Sequence, residues 1–255
     1  MKGDDYVKTL ISRVLLPGAV LAAGAIAFAS SALAGDDDGR MYRVTITNAT
    51  LGQPVAPSVI ATHGGAFQLF QLGPAPMAGD DGYDYYFALA AMAETGYPFH
   101  LLDEVADSRG VWEAVALPFP GRMPPVLLPS ESNSTTISAS GNAKYLSAAA
   151  MLGATNDAFY AVRGAPLPRG VGDSVHLVAS AYDAGSEANA ESPDTVGFLG
   201  ASEDNPVSGN GINENGEGFI HVHAGIHGVG GPGGLDPAVL DWRNPVVEVT
   251  IERIQ

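Results

Sequence analysis

The chain has no cysteine, few basic residues and, past residue 34, no long apolar run. Without cysteine there is no disulfide, no thiolate nucleophile, no zinc–thiolate site and no iron–sulfur cluster. Stability must come from core burial, with a metal clip as the obvious supplement. Twelve basic residues stand against 28 acidic ones, a formal charge of −16. Lys144 is the sole lysine after residue 34. A surface of that sign repels nucleic acid and anionic lipid, so neither is expected as a partner. It also suits a salty habitat. Several motifs are absent. There is no G-x-S-x-G nucleophile elbow, no H-E-x-x-H zinc helix and no glycine loop ending in G-K-[ST]. The 12-residue ligand spacing of an EF-hand is missing too.

The first 34 residues read as a secretory leader. Lys2, Lys8 and Arg13 make a basic start, Val14–Ala29 is apolar and small, and Ala32-Leu33-Ala34 has the small-x-small form of a cleavage site. The apolar part is short for a span of about 20 residues. The expected product is a secreted, periplasmic or cell-surface protein that does not insert in a membrane after cleavage. The leader holds three basic and two acidic residues, so the remainder is one charge more negative than the whole. Gly35–Arg40 is an acidic linker, and residues 41–255 are long enough for one large domain.

Period-two alternation then dominates. Tyr42, Val44 and Ile46 alternate with Arg43, Thr45 and Thr47, as in a half-buried strand. Ser58–Thr62, Ser134–Ser140, Ala158–Val162, Val175–Tyr182, Phe219–Ala224 and Val246–Ile254 read as further strands. Tyr145–Leu152 is small and apolar, equally a strand or a helix on pattern alone. Asp84–Glu94 has helical spacing at Tyr85, Leu89, Met92 and Ala93 and is closed by Gly96 and Pro98. Phe99–Asp107 is a second short helix. Trp112–Leu128 is proline-rich and reads as a loop or irregular edge. Gly185–Gly218 is a long polar loop, of the kind that is usually functional or mobile. Many short strands separated by turn residues predict an antiparallel β-sandwich with one or two short helices in insertions.

Chemistry concentrates where acidic loops meet strand ends. Asp157 precedes Ala158–Val162, and Asp183 and Glu187 follow Val175–Tyr182. Neighbouring strands with these ends together would converge three carboxylates, and hard oxygen ligands on loops suit Ca²⁺. Asn156, Asn189 and Glu191 are candidate additional oxygen donors. The bland alternative is that both Asp residues serve turns.

The segments Thr155-Asn156-Asp157-Ala158-Phe159 and Tyr182-Asp183-Ala184-Gly185-Ser186-Glu187 resemble the two signature stretches of the spondin domain family. Tyr42–Asn48 is similar to that family's opening strand and Val249–Ile254 to its closing one. The resemblance spans nearly all of residues 41–255. It implies a C2-like β-sandwich with Ca²⁺ on Asp157, Asp183 and Glu187 in end loops. It also implies a non-enzymatic role in extracellular binding or adhesion, toward a glycan or protein ligand. Two departures stand out. Glu187 replaces an Asp, lengthening the carboxylate's reach, and Tyr182 replaces a Trp.

A second constellation is His221, His223 and His227. His221 and His223 share a face of a strand, and His227 follows a glycine bend. Three converging imidazoles would suit Zn²⁺ or Cu²⁺ and a metal-dependent enzyme or metal-handling protein. Otherwise the histidines serve hydrogen bonds. A third reading is a structural envelope protein that Ca²⁺ merely stabilises. Gly228–Gly234 reads as a flexible loop, and Trp242 as a core anchor.

Overall fold

The computed structural model describes residues 39–77, 80–117, 125–199 and 216–255. The expected leader and most of the acidic linker lie outside them. The fold is all-β and antiparallel. Its strands are β1 (Arg40–Asn48), β2 (Val59–His63), β3 (Gly73–Pro74), β4 (Val111–Ala116), β5 (Ser132–Ala139), β6 (Tyr145–Met151), β7 (Ala158–Pro166), β8 (Ser174–Asp183), β9 (Phe219–Val222) and β10 (Val247–Arg253). Among the described residues there are three short α-helices, α1 (Tyr83–Thr95), α2 (Phe99–Asp107) and α3 (Pro237–Leu240).

The strands run in the order β4-β2-β6-β7-β8-β10-β1-β5, with β9 between β8 and β3. β8 belongs to two sheets. Its first part, Ser174–Ala179, pairs with β10, and its last part, Ser180–Asp183, pairs with β7. The sheet therefore folds over on itself along β8. The far edges approach each other, where Thr62 and Trp112 reach Ser138 across the seam, at 2.6 Å to its carbonyl and 3.2 Å to its hydroxyl.

The core lies between the two halves. β1 contributes Tyr42, Val44 and Ile46, β10 contributes Val247, Val249 and Ile251, and β7 contributes Tyr160 and Val162. Each large side chain buried there stabilises the fold by about 1.5–3 kcal/mol. Tyr160 is fully buried and its hydroxyl meets Ser58 Oγ at 2.7 Å, so no polar atom is stranded.

A second apolar layer covers the other face of β2, β6 and β7. Ala149, Met151, Phe159 and Ala161 pack there against Leu89 and Met92 of α1 and Leu101 and Val105 of α2. This explains why Tyr145–Leu152 gave no clear period. β6 is buried on both faces, so its small apolar residues do not alternate with polar ones. α1 ends at Gly96, whose φ of 71° is left-handed and whose N–H closes on Met92 O at 2.9 Å.

Of the two readings open for Trp112–Leu128, loop or irregular edge, its start takes the second, because Val111–Ala116 forms edge strand β4. Pro237–Leu240 is a short helix, with Asp236 accepting from Ala238 N at 2.9 Å as its N-cap. Trp242 is buried, as expected of a core anchor.

Candidate metal centre

Register sets the site. Ala158 opposes Asp183 across the β7–β8 pair, which places Asp157 beside the end of β8. The chain after Asp183 turns back over Asp157. Ser186 N (2.8 Å), Ser186 Oγ (3.1 Å) and Glu187 N (3.1 Å) all donate to Asp157 Oδ2. Its other oxygen, Oδ1, is buried and accepts no hydrogen bond among the described residues. Asp183 Oδ1 accepts from Gly185 N at 2.7 Å, which fixes the turn, and Oδ2 accepts from Asn189 Nδ2 at 2.6 Å.

The third carboxylate is Glu217. Oxygens of Asp157, Asp183 and Glu217 lie within 4.8 Å of one another. Glu217 arrives because β9 pairs with the end of β8, with Asp183 opposite His221. Gly218 N bonds to Gly185 O at 2.9 Å, and the chains are too close there for side chains. A Cβ on Gly216 would lie 2.5 Å from Gly185 O, and one on Gly185 would lie 2.3 Å from Phe219 O.

Glu187 is not part of this carboxylate set. It is buried, its Oε2 accepts from Asn156 Nδ2 at 3.3 Å, and its backbone N–H holds Asp157. The other expected oxygen donors are committed elsewhere. Asn156 Oδ1 accepts from Glu191 N at 3.1 Å, and Asn189 Oδ1 faces His223. Glu191 accepts from the backbone N–H groups of His227, Gly228 and Val229 at 2.7, 2.6 and 3.0 Å. The glycine-rich stretch is thus wrapped around a buried carboxylate. A Cβ on Gly230 would lie 1.9 Å from Glu191 O, so it is an ordered cradle, not the flexible loop expected from composition.

The histidines divide. His221 and His223 do share a face, and both place Nε2 at 3.8 Å from Asp183 Oδ2. Both nitrogens of His223 are occupied. Nδ1 accepts from Gly225 N at 3.0 Å, so Nε2 carries the proton and donates to Asn189 Oδ1 at 3.1 Å. Burial, with the nearby His221 and His227, takes its pKa down to about 4. His227 is exposed, and the three imidazoles form no common cluster among the described residues. His221 donates Nδ1–H to Phe219 O at 3.1 Å.

The electrostatics favour a cation. Burial and then the charge of Asp183 raise the Asp157 pKa well above the usual carboxylate range, against the N–H groups of Glu187 and Ser186. Burial also raises Asp183, opposed mainly by Asn189 and Gly185. Two buried carboxylates with oxygens within 4.8 Å of each other, one oxygen without a hydrogen bond among the described residues, relieve their charge by taking up a proton or a cation. All-oxygen donors on loops match the preference of Ca²⁺. No protein-family model matches the chain, and no curated protein is significantly similar to it.

Proposed function

We propose that this is a secreted, spondin-like β-sandwich that binds Ca²⁺ and serves extracellular binding, without catalysis. Asp157, Asp183 and Glu217 hold the ion, with backbone carbonyls and water completing 6–8 oxygens. The observation that carries the reading is that Asp157, whose buried Oδ1 has no hydrogen-bond partner among the described residues, has a carboxylate oxygen within 4.8 Å of oxygens of Asp183 and Glu217. Glu187 takes a supporting part, positioning Asp157 through its N–H. The ion joins the loop before β7, the loop after β8 and the approach to β9. Without it these three segments repel. Extracellular modules bind Ca²⁺ at about 10⁻⁴–10⁻³ M and are still saturated outside cells.

The test is metal analysis and thermal melting of purified protein, in millimolar Ca²⁺ and in chelator. The expected result is one Ca²⁺ per chain and a higher melting temperature with the ion. No bound Ca²⁺ together with equal melting temperatures would end the proposal.

A further inference from the structure

A second site lies at the opposite end of β7. The carboxylates sit before Ala158, whereas Pro166, Leu167, Pro168 and Arg169 follow the strand's far end, roughly 30 Å away along the chain. There a cavity of about 490 Å³ opens, lined by Arg40, Lys144, Tyr145, Arg169 and Arg253 together with the Pro166–Pro168 segment. Among the described residues no acidic side chain lines it. The chain has 12 basic residues, three of them before residue 35, and four of the remainder meet in this one cavity. In so acidic a protein that concentration needs an explanation.

Packing does not supply one. Arg40 and Arg253 are partly used by backbone. Arg40 donates to Gly141 O and Ala143 O at 3.3 and 2.8 Å, and Arg253 to Gln255 O at 2.9 Å and to Arg169 O. None of the four forms an ion pair among the described residues. The side chains of Lys144 and Arg169 make no hydrogen bond there either. The Lys144 backbone is nevertheless fixed from both sides, donating to His63 O at 3.0 Å and accepting from Leu167 N at 2.9 Å. The ammonium therefore stands on a fixed stretch of backbone, and among the described residues nothing neutralises it.

We propose that this cavity binds a short saccharide bearing sulfate or carboxylate groups. The guanidinium and ammonium donors match oxyanions. The half-exposed Tyr145 ring and the proline faces offer flat apolar surface to the C–H face of a sugar. The size lies within the range of small-molecule sites, about 300–1,000 Å³. The chain's net charge of −16 favours a short ligand, because a long polyanion would meet repulsion from the protein as a whole. The site shares no residue with the calcium centre, so its test stands apart from that reading.

The experiment is calorimetric titration of the full-length protein, in chelator, with four probes. These are a sulfated disaccharide, a uronate disaccharide, the neutral parent disaccharide and inorganic sulfate. The proposal expects an anionic disaccharide to bind, the neutral one not to bind, and inorganic sulfate to bind at least tenfold more weakly. Lys144→Gln and Arg169→Gln should each weaken binding about tenfold, the loss of one charge-assisted contact. Neither side chain holds a structural bond, so the melting temperature should not move. Affinity in the wild type should also fall as salt rises from about 50 to 500 mM, as the charges become screened. The salt series decides the matter alone should a variant not fold. The proposal is overturned if neither anionic disaccharide binds, if the neutral sugar or bare sulfate binds equally well, if both variants retain full affinity, or if salt has no effect.

Discussion

Asp157→Asn separates the cost of the carboxylate cluster from its use. Asp157 and Asp183 are both buried, with oxygens within 4.8 Å of each other. At an effective dielectric of about 20, two charges at that distance repel by about 3 kcal/mol. Asparagine removes the repulsion and turns the bare Oδ1 position into a donor. It keeps an acceptor for Ser186 and Glu187, but the three bonds to Oδ2 become neutral ones, a loss of about 0.5–1 kcal/mol each. The two effects leave the variant about 1 kcal/mol more stable than wild type in chelator, or roughly 2–4 °C for a domain of this size.

With Ca²⁺ the order reverses. Wild type gains about 2.7 kcal/mol at a hundredfold excess over Kd, and the variant loses most of that gain. Acidity gives a third reading of the same quantity. The folded-state pKa of Asp157 is raised, so metal-free wild type recovers stability as pH falls. The benefit is complete below the unfolded value of about 3.9 and is lost as pH rises through the raised folded value. The gap between variant and wild type in chelator should therefore close on acidification. Thermal melts of both proteins, with Ca²⁺ and with chelator, check all three points. A variant that is less stable in chelator and retains the full Ca²⁺ shift would refute the reasoning.

Other outcomes follow from single contacts. Glu191→Gln puts an amide hydrogen where one carboxylate oxygen accepts backbone N–H groups, and should lower stability by about 2–4 kcal/mol in urea unfolding; an unchanged midpoint would show that the cradle is not held by this side chain. His63 is buried between Gly64 O and Ser147 Oγ, both at 2.8 Å, and burial lowers its pKa. Its contribution is complete above the unfolded value of about 6.5 and is lost as pH falls toward the folded one, so His63→Gln should flatten the acid loss of stability from about pH 6.5 downward. Equal slopes in both proteins would exclude His63 as the cause. Export should remove Met1–Ala34, and the intact mass of secreted protein should begin at Gly35; a mass that starts at Met1 would refute cleavage.

The strands were legible where one face is wet. β1 announces itself through Tyr42, Val44 and Ile46 against Arg43, Thr45 and Thr47, because the second set looks outward. The helices were legible through apolar spacing and the Gly96-Tyr97-Pro98 stop. β4 was hidden because its residues are only half-buried at an edge and lead directly into a proline-rich stretch. In the site, Asp157 and Asp183 were readable as acids at strand ends. Glu217 was not, because nothing local distinguishes it from the other acids of a long polar loop. What brings it in is the pairing of β9 with β8, a non-local contact. The flanking Gly216 and Gly218 were the available sign, since glycines on either side of one acid just before an apolar run mark a close backbone approach. Glu187 stands apart for the opposite reason. Its spacing from Asp183 suits a ligand, but the tight turn commits its N–H to Asp157 and sends its carboxylate toward Asn156.

The pairing of β1 with β10 has a mechanical side. Met41 N bonds to Gln255 O at 3.0 Å and Ile254 N to Met41 O at 2.8 Å, so both strands leave the sandwich at the same end. Force applied between Arg40 and Arg253 pulls perpendicular to the ladder and opens its hydrogen bonds one after another, like a zip. Force applied between Arg40 and the far end, where Asp157, Asp183 and Glu217 lie, runs along the strands. The bonds from Tyr42 to Asn48 are then loaded together and must break in concert. One domain is thus weak or strong according to where it is gripped, and a load borne through the carboxylate end meets it in its strong direction.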